Sequence, residues 1–140
     1  MKLSDVVKNN VIIVAGGKGL RMGSDLPKQF IEIGGQPILM HTIEAFYQFD
    51  NEINIVLVLH PSYVDFWKSL CEKYTFHRQL TITTGGGTRF ESVKNGLEFV
   101  SEGLVAVHDA ARPFITKRLI EACFAGAKEY QAAIPVINSA

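Results

Sequence analysis

Net charge is the first thing this 140-residue chain lacks, since 14 Lys and Arg are matched by 14 Asp and Glu. No overall field draws it onto nucleic acid or an anionic membrane, although a local basic cluster for a small anion stays open. Long hydrophobic runs are also missing, and the apolar stretches fall far short of a membrane span. The first residues, Met1 to Asn10, mix charge and polarity without the apolar stretch of a signal peptide, so the expected location is cytoplasmic. Cysteine is scarce: Cys71 and Cys123 have neither metal-site nor redox-motif spacing and read as reduced core thiols. His41, His60, His77 and His108 form no cluster with ligand spacing and read as satisfied structural side chains. No Ser-His-Asp or Cys-His arrangement, internal repeat, low-complexity tract or interdomain linker is present. A chain of this length, 47% apolar and 20% charged, is expected to fold as one domain over residues 1–140.

What is present alternates between two periods. Val11-Ile12-Ile13-Val14-Ala15 is a continuous apolar run ending in glycines, as a buried parallel strand should be. Ile55 to Leu59 ends at His60-Pro61, Leu80 to Thr84 ends at three glycines, and Leu104 to Val107 ends at His108-Asp109. Ala132 to Ile137 supplies a fifth strand. Between them lie helical patterns. Pro37 suits a first helical position, followed by Ile38, Leu39, Thr42, Ile43, Phe46 and Phe49 at helical spacing. Ser62 and Asp65 resemble a capping box before Phe66, Trp67, Leu70 and Tyr74, and Thr88 and Glu91 repeat that signal before Val93, Leu97 and Val100. Thr116 opens a last helix, with Leu119, Ile120, Cys123, Phe124 and Ala127 expected on its buried side. Trp67 and the nine phenylalanines read as core. Such alternation implies a parallel sheet covered on both faces, with right-handed crossovers.

The uncommon stretches fall at the carboxyl ends of these strands, where open α/β sheets bind ligands. Strand one runs into Ala15-Gly16-Gly17-Lys18-Gly19-Leu20-Arg21-Met22-Gly23. Its glycines let successive backbone N–H groups aim at one anion, and Lys18, Arg21 and Lys28 add three cations. The alternative is a plain glycine turn with solvated charges. A P-loop is excluded because no G-x-x-x-x-G-K-[ST] occurs. A dinucleotide fingerprint is excluded because Met22 stands at the third glycine and strand two ends in His60-Pro61. At the end of strand four, Asp109 can serve Mg²⁺, which takes one or two carboxylates plus substrate phosphates. Alternatively, Asp109 is a turn residue paired with Arg112.

The order Ala15-Gly16-Gly17-Lys18-Gly19-Leu20-Arg21-Met22-Gly23, Leu26-Pro27-Lys28-Gln29-Phe30, Pro37-Ile38-Leu39-x-His41-Thr42 resembles the 2-C-methyl-D-erythritol 4-phosphate cytidylyltransferases. So do Gly85-Gly86-x-x-Arg89-x-x-Ser92-Val93-x-Asn95-Gly96-Leu97 and Val107-His108-Asp109-Ala110-Ala111-Arg112-Pro113. The likeness runs from about Val11 to Val136. It implies a three-layer α/β/α nucleotidyltransferase (Rossmann-like) fold with a mostly parallel sheet. It also implies transfer of CMP from CTP to 2-C-methyl-D-erythritol 4-phosphate with release of pyrophosphate, in the non-mevalonate route to isoprenoids. By the same resemblance, Arg21 and Lys28 stabilise the pentavalent transition state at the α-phosphate. Gly16, Gly17 and Gly19 cradle the triphosphate, and Asp109 helps hold Mg²⁺ or another divalent cation. Ala15, Gly86, Gly87 and Ser92 match positions around the cytosine and ribose. Gly85, Arg89, Ala110 and Arg112 complete the substrate-binding set.

The nucleophile would be a phosphate monoester, already anionic near neutral pH because its second pKa is about 6. No general base is then required, only positioning and charge neutralisation. Two residues depart from the family pattern: Gly16 replaces a frequent alanine, and Gly87 replaces a frequent acidic residue. Family members continue past Ala140 with a dimer arm, sugar-phosphate ligands and a further metal ligand. The expectation is therefore an amino-terminal portion of an enzyme that is a homodimer at full length. Two rivals remain. Ribitol-5-phosphate cytidylyltransferase shares the glycine loop but more often has His-Asp-Ser-Val-Arg where Ala110-Ala111 stand here. The other is a non-catalytic CTP-binding fragment.

Overall fold

The computed structural model describes residues 8–15, 26–110, 117–130 and 136–137. Five strands form the main sheet: β1 (Asn9–Ala15), β4 (Asn54–Leu59), β5 (Thr81–Thr84), β6 (Leu104–Asp109) and β7 (Val136–Ile137). A separate antiparallel ribbon pairs β2 (Glu32–Ile33) with β3 (Gln36–Pro37). The helices are α1 (Ile38–Phe49), α2 (Val64–Lys73), α3 (Arg89–Leu97) and α4 (Lys117–Tyr130). The main sheet is parallel throughout, in the order β5-β4-β1-β6-β7. The chain therefore begins at the centre, steps outward twice, then returns to the other side of β1. The α/β class with a mostly parallel sheet is as the sequence pattern implies.

Strand alternation divides the core in two. Val11, Ile13 and Ala15 share a cluster with Ile55, Leu57, Leu59 and Ala106, and there meet Leu39, Ile43 and Phe46 of α1, Trp67 of α2, and Ile120 and Phe124 of α4. Ile12, Val14, Val56, Val58, Val105 and Val107 point the other way and meet Val93, Leu97 and Val100 in and after α3. With both faces covered, the strands are apolar at nearly every position, which explains their continuous runs. Burying each such aliphatic side chain contributes about 1.5–3 kcal/mol. Gly96 lets α3 lie close on the sheet, because a Cβ there would stand 2.7 Å from Ile12 Cγ2 and 3.3 Å from Val58 Cγ2.

The amino edge of the sheet is fastened by amides. Buried Asn10 donates to the carbonyls of Glu102 (2.8 Å) and Leu104 (3.0 Å), and its own oxygen accepts from Asn54 Nδ2 (2.9 Å). Gly103 has φ +100, and a Cβ there would fall 2.1 Å from the Lys8 carbonyl oxygen, which accepts from the Leu104 N–H.

Several sequence expectations shift or fail. β5 begins at Thr81 rather than Leu80, and Pro37 caps α1 and pairs in β3 instead of starting the helix. Ser62 and Asp65 form no capping box: His60 Nδ1 accepts the Ser62 N–H, a 3-10 turn covers Pro61–Tyr63, and α2 starts without a side-chain cap. Thr88 does cap α3, accepting the Glu91 N–H at 3.1 Å. Phe90 (76% exposed), Phe99 and Leu119 lie on the surface, not in the core. Cys71 is half-buried at the core margin. Residues 132–135, Thr116, and the side chains of Cys123 and Ala127 lie outside what is described. No helix among the described residues is long and apolar enough to cross a membrane.

Two tests follow from this packing. Gly35 also has positive φ (+91), but a Cβ there would meet nothing within 4 Å. Gly35→Ala should therefore cost only backbone strain, about 1 kcal/mol, whereas Gly103→Ala should cost about 3 kcal/mol or more by adding a backbone clash. Urea denaturation midpoints at unchanged m-value measure the difference. Burial pushes the Cys71 thiol above its usual pKa. Peptide-mapped alkylation at pH 8 should accordingly proceed more slowly at Cys71 than at free cysteine, because the thiolate is the reacting form.

Candidate active site at the switch edge

Strand register brings the carboxyl ends together. Ala15 lies opposite Leu59, Leu59 opposite Thr84, and Val14 opposite Asp109. Each strand hands on to the next loop through one more backbone bond. The His60 N–H donates to the Ala15 carbonyl (3.3 Å), Gly85 N–H to Leu59 (2.8 Å), and Ala110 N–H to Val14 (3.0 Å). Ala15, Gly85, Asp109 and Ala110 thus share one edge of the sheet. The strand order reverses between β4-β1 and β6, and open sheets of this kind bind ligands at such a switch point.

Alternation also assigns a face. Asp109 follows Val107 by two residues and lies across from Val14, so it belongs to the face that α3 covers. Helix α3 begins at that same edge, directly after Gly85, Gly86 and Gly87. A Cβ on Gly86 would stand 2.5 Å from Glu91 Cβ, whereas Gly87 has room. Ser92, in the first turns of α3, is buried, while Arg89 is exposed. Asn95 donates to the Thr84 carbonyl (3.0 Å) and ties the helix to the end of β5. Asp109 is half-buried. Among the described residues no three His, Cys, Asp or Glu side chains gather as a preformed metal cage. One or two carboxylates suit Mg²⁺ when substrate phosphates complete its ligands.

The Lys28 turn is linked to this edge through the residues that follow β4. Its 3-10 turn, Lys28–Phe30, is held by N–H bonds from Phe30 to the Pro27 carbonyl (3.0 Å) and from Ile31 to the Lys28 carbonyl (3.1 Å). Beneath it, the buried Phe30 ring packs on Tyr63, Phe66 and Trp67 at centroid distances of 5.5, 5.2 and 6.5 Å. Tyr63 in turn meets the ring of His60, the residue bonded to Ala15. His60 and Tyr63 were missed as parts of this framework; the break at His60-Pro61 was their only mark in the sequence. Gly16, Gly17, Lys18, Gly19 and Arg21 of the glycine loop, and Arg112, lie outside the described residues.

The histidines divide. His41 in α1 is hydrogen-bonded to the ribbon, and His60 is hydrogen-bonded within its own turn. His108 is buried in a T-shaped contact with Phe46, and His77 is exposed rather than satisfied in a core.

A parallel sheet covered by helices on both faces gives this chain the α/β fold of the nucleotidyltransferase class. Within that class the chain belongs to the 2-C-methyl-D-erythritol 4-phosphate cytidylyltransferase (IspD) family, whose sequence profile matches residues 9–139. It is 56% identical over 133 residues to the enzyme of that name from Phocaeicola vulgatus and 55% identical over 133 residues to that from Bacteroides thetaiotaomicron. Each alignment covers 94% of this chain and 61% of the relative, so the chain spans about three-fifths of their length. Among solved structures, 4-diphosphocytidyl-2C-methyl-D-erythritol synthase from Anaerococcus prevotii superposes with TM-score 0.70 at 27% identity, over 88% of this chain and 52% of that one. The Thermus thermophilus 2-C-methyl-D-erythritol 4-phosphate cytidylyltransferase gives 0.58 at 27% identity, over 88% and 50%.

Tyr74 ties the end of α2 to the ribbon, its hydroxyl donating to the Glu32 carboxylate. That hydrogen bond, with smaller contributions from burial and the Glu32 charge, raises the Tyr74 pKa. The stabilisation is fully present below the ordinary tyrosine value of about 10 and is lost as pH climbs through the raised one. A ¹³C-tyrosine titration should show Tyr74 ionising above free tyrosine, and Glu32→Gln should lower that midpoint.

Proposed function

We propose that the chain carries the nucleotide-binding half of an enzyme that transfers CMP from CTP to 2-C-methyl-D-erythritol 4-phosphate. The observation that carries this reading is the convergence of Ala15, Gly85, Asp109 and Ala110 at the switch edge of a chain belonging to this family. A phosphate monoester oxygen of the acceptor attacks the α-phosphorus of CTP, forming a new P–O bond. The bond from that phosphorus to the bridging oxygen breaks, and pyrophosphate leaves with the electron pair. The nucleophile arrives already ionised, so no side chain has to remove a proton.

The work left to the protein is positioning and charge neutralisation. In this reading Arg21 and Lys28 place positive charge at the α-phosphate, where charge develops. Gly16, Gly17 and Gly19 let the backbone close on the triphosphate. Ala15, Gly86, Gly87 and Ser92 line the nucleoside, with Gly85, Arg89, Ala110 and Arg112 completing the substrate-binding set. Asp109 holds a divalent cation, Mg²⁺ for preference, which when bound neutralises phosphate charge. The complete enzyme works as a cytoplasmic homodimer in isoprenoid biosynthesis.

Arg21→Ala and Lys28→Ala should each lower pyrophosphate release by about a hundredfold to a thousandfold with the fold intact. Wild-type turnover in Arg21→Ala would remove the central claim. Asp109→Asn should raise the Mg²⁺ concentration needed for half-maximal CTP binding. Parallel assays with methylerythritol phosphate and ribitol 5-phosphate decide the acceptor, and faster turnover of ribitol phosphate would overturn the choice made here.

A further inference from the structure

Nothing in the reaction so far uses His41, yet its ring is fastened at both nitrogens. It stands in the first turn of α1, half-buried beside the ribbon. Nε2 meets the Ile33 carbonyl oxygen, and Nδ1 lies 3.3 Å from Gln36 Nε2. A carbonyl only accepts, so Nε2 carries the hydrogen and Nδ1 is left to accept from the Gln36 amide. Ile33 and Gln36 face each other across the ribbon, so one imidazole holds both members of that pair. The ring also sits over the turn, since a Cβ at Gly34 would be 3.6 Å from both Cε1 and Nε2 of His41.

The ribbon needs such support. Two residues on each strand are far too few to be stable in water by themselves. Its other ties are the Ile38 N–H to the Ile31 carbonyl (3.0 Å) and Tyr74 to Glu32. Immediately before the ribbon stands the Pro27–Phe30 turn, whose last bond, from the Ile31 N–H to the Lys28 carbonyl, uses the residue that leads into β2. A slack ribbon therefore slackens the backbone of Lys28 from one side, while Phe30 still anchors it from below.

We propose that His41 is a positioning residue that fixes the Lys28 turn by locking the Ile33–Gln36 pair of the ribbon. This rests on the role given to Lys28 above. Hydrogen exchange by NMR tests the lock without any ligand. In His41→Ala the Phe30 and Ile31 amides should exchange at least about tenfold faster, while amides of β1, β4 and β6 stay unchanged. His41→Gln, which keeps a donor near the Nε2 position, should restore most of the protection. Unchanged exchange at Phe30 and Ile31, or a uniform rise across the main sheet, overturns the proposal.

The link to Lys28 is read from CTP affinity in a double-mutant cycle. His41→Ala should weaken CTP binding about tenfold when Lys28 is present and hardly at all in the Lys28→Ala background, as residues sharing one network do. Equal losses in both backgrounds overturn the proposal. A Lys28→Ala variant that binds and turns over CTP like wild type would instead overturn the role of Lys28, and the exchange experiment still decides whether His41 locks the ribbon.

Discussion

β1 is hydrogen-bonded along its length to β4 on one side and β6 on the other, and the rest of the architecture depends on this double pairing. Buried on both edges and both faces, β1 is apolar from Val11 to Ala15, and it needs helices above and below. It also compels the chain to return across its own start after β5. At the carboxyl end that return makes a topological switch point beside β1, the place where sheets of this kind bind ligands. At the amino end the same convergence must be closed, and Asn10, Asn54 and the Gly103–Lys8 contact close it. Switch edge and fastened edge are thus two consequences of one topology.

Onto this frame the chain adds a segment that is not part of the sheet. The Lys28 turn owes its place to an aromatic ladder, Phe30 to Tyr63 to His60, that ends at the Ala15 carbonyl. Tilted and edge-on ring contacts and one backbone bond carry position from a buried core to a half-buried cation. The ribbon adds a second constraint from behind, through His41 and Tyr74. In the role proposed for Lys28, a cation that serves phosphate loses its value if it wanders, so support of this kind suits that role.

Much of the fold was legible because both faces of the sheet are covered. Val11 to Ala15, Ile55 to Leu59 and Leu104 to Val107 stand out as continuous apolar runs, and Thr88 marks the start of α3 by an unambiguous cap. The errors have local causes. Ser62 and Asp65 lost the start of α2 because the His60 ring captured the Ser62 N–H first. Phe90 and Leu119 lie on helices and Phe99 in the turn after α3, and all three are exposed, so their hydrophobicity did not bury them. The ribbon was invisible because two-residue strands have no period to read.

By itself, then, the sequence determined the class of fold, the placing of its unusual residues at strand ends, and the family. Those follow from local periodicity and from short motifs, both of which survive without knowledge of neighbours. Only the tertiary structure decided that Val14 faces Asp109, that Asp109 shares a face with α3, and that His41 grips Ile33 and Gln36. Register between strands is set by packing over the whole sheet, and a slip of one residue would send each side chain to the opposite face. No stretch of sequence contains that choice, because it is made between residues up to 95 positions apart in the pairing of Val14 with Asp109 (109 − 14).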